Sequence, residues 1–151
     1  MARRLLALAL SLLAAIALTA CGEDKEETFK REYRPVNTKI LALVRDVGRS
    51  VTGASGKSDR QIQQEFAALA RRTGALRKDL EALDPPDDLA GDRKDLVEAM
   101  GDARDALREI ERAAGEGDPQ AARRATIQLV AASQDLRSQR RDLARATGGR
   151  R

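Results

Sequence analysis

The sequence predicts an all-α fold, an up-down-up-down antiparallel four-helix bundle with heptad-like seams. Three observations support this fold class. The 151 residues are 42% apolar but only 2% aromatic, and most of the apolar residues are Ala and Leu, which favour helix. No segment shows the alternation typical of a strand. Apolar residues recur instead at intervals of three and four within four segments joined by short loops, which makes neighbouring helices antiparallel. Two long hairpins that complete their core by dimerising are the alternative architecture.

The first predicted helix carries apolar residues spaced three and four apart. Pro35 lies inside this pattern, so the helix either begins there, with Pro in its first turn, or kinks there. Residues 53–57 form the loop that follows. The apolar positions are Phe29, Tyr33, Val36, Ile40, Leu43, Val44, Val47 and Val51. Tyr33 is either a core residue or an anchor at the membrane interface.

The second predicted helix has the most regular seam. Ser58 and Gln61 form a capping-box signature at its start, and Asp84-Pro85-Pro86 stops it. Its seam alternates steps of four and three, which is the heptad rule for helices that pack at a shallow angle. The seam residues are Ile62, Phe66, Leu69, Thr73, Leu76, Leu80 and Leu83.

The third and fourth predicted helices continue the pattern. The third ends at residues 115–117. The fourth begins at Asp118-Pro119, an N-cap residue followed by Pro at the first helical position. The fourth has the weakest apolar face. The seam of the third comprises Leu89, Leu96, Met100, Ala103, Leu107, Ile110 and Ala114; that of the fourth comprises Ala122, Leu129, Leu136 and Leu143, flanked by Ala125, Ile127, Val130 and Ala132. Arg93 and Thr73 occupy seam positions. One interpretation is that each marks a polar pocket; the alternative for Arg93 is that its side chain extends outward to water.

The N-terminus has the features of an export signal. Arg3 and Arg4 precede an apolar run over residues 5–17, which is shorter than the roughly 20 residues needed to cross a bilayer. The following residues, Leu18-Thr19-Ala20-Cys21, resemble the lipobox of bacterial lipoproteins. That resemblance implies a diacylglyceryl group on the Cys21 thiol and cleavage before it. Cys21 is the only cysteine in the chain, and lipidation explains an unpaired thiol in an exported protein.

These features divide the chain into four parts. Residues 1–20 are the predicted signal peptide, residues 21–28 the lipidated cysteine and a polar tether, residues 29–147 the helical bundle, and residues 148–151 a basic tail. The lipobox resemblance implies an exported protein, lipid-anchored (diacylglyceryl and palmitate) to the extracytoplasmic face of the cell membrane.

Positive charge is concentrated at the C-terminal end. Residues 21–118 contain 18 basic and 22 acidic residues, whereas residues 119–151 contain 8 basic and 2 acidic residues. This segregation does not indicate a uniformly basic nucleic-acid binder. One hypothesis is that the terminal arginines contact anionic lipid headgroups or a partner; the alternative is that they pair with the acidic third helix. The arginines are Arg137, Arg140, Arg141, Arg145, Arg150 and Arg151.

The composition argues against catalytic and metal chemistry. The chain has no His, and lipidation removes its one Cys from any active site, so Cys–His, Ser–His and His/Cys metal arrangements are excluded. The Gly56-Lys57-Ser58 sequence lacks the spacing and preceding strand of a phosphate loop. Asp88, Asp92 and Asp95 share one helical face, which we interpret as solvated. We therefore expect no enzyme activity, cofactor or metal.

Two function classes are favoured after these exclusions; a third, an enzyme, is the least favoured because the chain lacks the usual catalytic side chains, although a buried carboxylate pair would indicate it. The first is an envelope lipoprotein that docks an unknown protein partner, or a second copy of itself, through a helical face. The second is a bundle that binds or senses a small ligand between its helices. An exposed apolar stripe on the fourth helix favours the first function, and a closed cavity containing a satisfied polar group favours the second.

Overall fold

The structure is a computed structural model that describes residues 20–148, with side chains from residue 25 onward. Within this range it contains four α-helices and no strand. They are α1 (Ala20–Thr52), α2 (Asp59–Glu81), α3 (Ala90–Glu116) and α4 (Pro119–Thr147), with short 3₁₀ turns at Ala54–Gly56 and Asp87–Leu89. The predicted all-α four-helix bundle is confirmed. The predicted signal peptide, up to residue 19, lies outside the described residues.

Contacts at the two ends of the bundle show the antiparallel arrangement. Lys25, near the start of α1, forms an ion pair of 3.2 Å with Asp84 in the turn between α2 and α3. At the other end, the Ser50 hydroxyl of α1 donates a hydrogen bond of 2.6 Å to Glu65 near the start of α2. Helix α1 also contacts α4, so the four helices form a closed ring of neighbours. The start of α1 and the end of α4 therefore lie at the same end of the bundle.

Helix α1 begins earlier than the sequence suggested. Residues 21–28, predicted as a polar tether, belong to the helix. Lys30 pairs with Glu26 one turn earlier at 2.7 Å, an i,i+4 contact that supports helix in this charged segment. Pro35 lies within the helix and is exposed, so water can satisfy the carbonyl that the proline nitrogen leaves unpaired. The helix thus begins before Pro35 rather than at it.

Local signals set three other helix boundaries as predicted, namely the start of α2, the end of α3 and the start of α4. The Ser58 and Gln61 side chains form a reciprocal capping box at the start of α2. Gly117, with φ of 65°, adopts the left-handed conformation that ends α3, while the Asp118 amide donates to the Ala113 carbonyl at 2.9 Å. Asp118 then accepts hydrogen bonds from two backbone amides as the N-cap of α4.

Side-chain size explains how the helices are spaced. Ala residues line much of the seams of α3 and α4, and the α3 backbone approaches the backbones of α2 and α4 closely. Helix α1 contributes larger side chains, and its backbone approaches α2 and α4 less closely. The buried α1 residues are Phe29, Tyr33, Val36, Ile40, Leu43 and Val47. The wider spacing leaves a groove between α1 and α4.

The two polar seam positions have local explanations. Thr73 is fully buried, and its hydroxyl donates to the Leu69 carbonyl at 2.8 Å, one turn earlier in α2. Arg93 donates from Nη1 to the Glu81 carbonyl at 3.1 Å, where it satisfies a backbone acceptor at the end of α2. Neither contact forms a polar pocket.

Candidate functional site

The groove between α1 and α4 contains three hollows in a row. The first lies beside Gly148 and encloses about 440 Å³; its lining includes Lys30, Tyr33, Arg34 and Asn37. The second, about 470 Å³, is lined by Thr38, Leu41, Val44, Arg45, Arg137, Arg140 and Arg141. The third, about 200 Å³, lies between Val47 and Val51 of α1 and Leu129 and Val130 of α4. Antiparallel packing places the hollows in order along both helices, and the second and third hollows share Arg137 as a lining residue.

The middle hollow combines an apolar floor with a basic rim. Leu41 and Val44 supply the floor, and Arg45 and the three arginines of α4 supply the rim. No Asp or Glu lines this hollow. In the described part of the chain, no carboxylate lies within 4.0 Å of Arg137, Arg140 or Arg141. The rim is therefore a cluster of uncompensated positive charge.

Two buried hydrogen-bond donors, one beside the first hollow and one beside the second, lack acceptors among the described residues. Tyr33 is only 2% exposed, and its hydroxyl has no partner among the described residues; the same is true of Arg140 Nε. Burial raises the pKa of Tyr33 to about 12, and the positive charge of Arg140 offsets part of that rise. The ring of Tyr33 stacks on Phe29 with centroids 5.8 Å apart. Tyr33 is thus a core residue whose ring also lines the groove.

Two exposed apolar side chains, Leu41 and Val130, line the same groove. Three large hydrophobic residues stand out as exposed in the described chain: Leu41 at 41%, Ile127 at 66% and Val130 at 48%. Ile127 and Val130 share a face of α4 with Arg137 and Arg141, because the steps between them follow the helical repeat. The fourth helix therefore carries an exposed stripe that changes from apolar to basic along its length.

The predicted arginine cluster divides into three groups. Arg137, Arg140 and Arg141 are brought together at the groove. Arg145 instead pairs with Asp142 of its own helix at 2.5 Å. Arg150 and Arg151 lie outside the described residues, as does the Cys21 side chain. The alternative pairing with acidic α3 is not observed for the four described arginines, because none of them lies within ion-pair distance of an α3 carboxylate.

A second polar cluster joins α1 to α2 and was missed from the sequence. Glu65 accepts hydrogen bonds from Ser50 and Lys57, and both contacts lower the pKa of its carboxyl, the Lys57 contact more strongly. Asp46 pairs with Arg72 and Arg49, and its pKa is also lowered. Ser50 continues the heptad steps of Leu43 and Val47, so a polar residue in a seam position was the available signal. This cluster is a structural link between helices.

The remaining candidate chemistry is sparse in residues 20–148. No group of three or more His, Cys, Asp or Glu side chains is placed to hold a metal ion there. Asp88 and Asp92 line a separate hollow that also contains Lys30 and Arg145. None of the described helices is both long and apolar enough to traverse a bilayer. The apolar floor and basic rim of the groove are suited to non-covalent binding of an apolar surface that carries negative charge.

Comparison with known proteins gives no relative from which to transfer a function. No family model, no curated protein and no solved structure matches this chain. The features that indicate a function are therefore the geometry and charge of the groove and the N-terminal sequence.

Proposed function

We propose that the chain is an exported, non-enzymatic lipoprotein that is anchored through lipid on Cys21 and docks a protein partner at the α1/α4 groove. The anchor is supported by the lipobox-like sequence Leu18-Thr19-Ala20-Cys21 after a short apolar run. The docking function is supported chiefly by one observation, the exposed apolar stripe of α4 at Ile127 and Val130. Apolar side chains grouped on a surface and rimmed by polar residues mark interaction sites.

The shape of the groove favours a macromolecule over a small ligand. Small-molecule sites bury most of the ligand surface in a concave pocket. The three hollows are open to solvent along the groove, so a small molecule in any of them stays partly hydrated. A protein surface, by contrast, covers Leu41 and Val130, which line the second and third hollows, together.

Lipid attachment is tested by metabolic labelling with an alkyne fatty acid in the native host. The full-length chain is expected to take up the label and to sediment with membranes. The matched variant Cys21→Ala removes the chain's only thiol, so it should lose the label and shift to the soluble fraction. Equal labelling of both proteins, or an unlabelled wild type, contradicts the anchor.

Docking is tested by crosslinking in whole cells with the full-length chain. We expect a discrete adduct with another protein that weakens in the double variant Ile127→Asn, Val130→Asn. These substitutions remove apolar surface without changing charge, and the control Ala75→Asn lies at an exposed position of α2. Circular dichroism of each variant verifies the fold. An adduct of unchanged yield in the double variant rejects the groove as the docking surface.

A further inference from the structure

We infer that the partner presents an acidic amphipathic helix to the α1/α4 groove. This inference depends on the proposed docking function and specifies the chemistry of its partner. Its two supports are the charge of the groove and the spacing of the apolar residues beside it.

Charge complementarity indicates an acidic partner. The rim of the middle hollow contains Arg45, Arg137, Arg140 and Arg141 and no carboxylate. The nearby Asp142 pairs with Arg145, and Asp46 pairs with Arg49 and Arg72. These nearby acids are therefore already engaged elsewhere. Negative side chains on a partner supply the missing compensation and steer its approach.

The dimensions of the stripe fit a helix. From Ile127 to Arg141 the exposed face of α4 covers about four turns, or about 21 Å of helix axis. Leu41 of α1 lies on the opposite side of the groove. A helix laid in such a groove inserts apolar residues at steps of three and four and keeps its charged residues on the rim. The apolar and basic parts of the stripe therefore fit an amphipathic helix with acidic flanks.

A second copy of this chain fits the groove poorly. The buried apolar residues of α3 are inaccessible in the folded bundle, although its outer face is acidic. Of the exposed large hydrophobic residues in the described chain, Leu41 and Val130 line the groove itself. Two copies that joined through these residues would bring arginine rims together, and like charges across an interface are unfavourable.

The experiment places a photo-crosslinking benzoylphenylalanine at Leu41 of the full-length chain in its native host, with the same group at exposed Ala75 as control. Tandem mass spectrometry then reads the crosslinked segment. We expect the Leu41 position to capture a segment of another protein with apolar residues at helical spacing and a majority of Asp and Glu among its charged residues. A phospholipid adduct, a second copy of this chain or a basic segment overturns the inference.

Charge reversal in the groove gives an independent readout. The double variant Arg137→Glu, Arg141→Glu should lower the yield of the Leu41 adduct by about tenfold. The control Arg71→Glu, Arg108→Glu makes the same change of charge at exposed positions on α2 and α3. Equal yields from both double variants reject an acidic partner. A protein adduct with a non-acidic segment leaves docking standing and rejects only the partner chemistry, whereas no adduct above the Ala75 control rejects both.

Discussion

Arg140 of α4 donates a hydrogen bond from Nη1 to the side-chain oxygen of Asn37 in α1 at 3.2 Å. This bond joins two residues that are far apart in the sequence and spans the groove between the first and last helices. It holds the guanidinium close enough to Tyr33 for its charge to influence the phenol, while Arg140 Nε has no acceptor among the described residues. A polar contact therefore bridges the groove, while the Nε–H of Arg140 donates no hydrogen bond to any described residue.

Tyr33 provides a direct optical test of this arrangement. It is the only tyrosine, and the chain has no Trp, so phenolate absorbance reports on one group. In the folded protein Tyr33 should titrate with a pKa of about 12, against about 10 in the unfolded chain. Because the folded pKa is raised, its contribution to stability is present below pH ~10 and is lost as the pH rises toward 12.

Removal of the neighbouring charge should shift the titration further. Arg140→Gln eliminates the positive charge that favours phenolate, so the pKa of Tyr33 should rise above the wild-type value. Arg71→Gln, at an exposed position of α2, serves as the control and should leave the titration of Tyr33 unchanged. A wild-type phenol that titrates near 10 in the folded state contradicts the burial of Tyr33.

The cluster around Glu65 should make stability depend on pH in the acid range. Its pKa is lowered in the fold, so its stabilising contribution is present above about pH 4.5 and is lost as the pH falls through the folded pKa. Glu65→Gln should lower the free energy of unfolding by roughly 1 kcal/mol at neutral pH, because the cluster is only partly buried. Urea denaturation should show this difference vanish in strong acid. Glu32→Gln, at an exposed position of α1, should have little effect; equal losses from both variants argue against the cluster.

Truncation of leucine to alanine should lower the free energy of unfolding more in the core than at the groove. Leu107 is fully buried, and Leu107→Ala should cost about 2–5 kcal/mol of unfolding free energy. Leu41→Ala makes the same change in a side chain that is 41% exposed, and it should cost less than about 1 kcal/mol. Chemical denaturation followed by circular dichroism measures both. Similar costs at the two positions contradict the assignment of Leu41 to the surface.

Two glycine-to-alanine substitutions should change the stability of the protein in opposite directions. Gly117→Ala forces a side chain into the left-handed region and should destabilise the protein by about 1–2 kcal/mol. Gly48→Ala lies within α1, where an added Cβ meets no atom within 4 Å, and should stabilise the protein by about 0.5–1 kcal/mol. Thermal unfolding measures both effects, and a stabilising Gly117→Ala would contradict the predicted cap geometry.

Much of the fold follows from local signals in the sequence. The capping box at Ser58, the Asp118-Pro119 restart and the heptad seam of α2 each depend on residues close in the chain, so their spacing is sufficient to predict them. The start of α1 was not predicted, because the charged residues of a tether and of a solvent-exposed helix have the same composition. Ion pairs such as Glu26–Lys30 then favour the helix.

Less of the candidate site than of the fold could be predicted from the sequence. The basic character of α4 was visible, but the grouping of Arg137, Arg140 and Arg141 with Arg45 depends on how closely α1 approaches α4. That distance is set by the relative size of side chains on all four helices, which no local pattern reports. For the same reason, the unpaired donors of Tyr33 and Arg140 appear only once the helices are packed.

Thiol accessibility in intact cell envelopes tests the docking groove most directly. Because Cys21 is the only cysteine and is proposed to be acylated, a single introduced thiol at Val130→Cys or Ala75→Cys is the only one open to an impermeant maleimide. In native envelopes Val130→Cys should react several times more slowly than Ala75→Cys, and the two should react alike after high salt releases the partner. Equal labelling rates in untreated envelopes would contradict a docked groove.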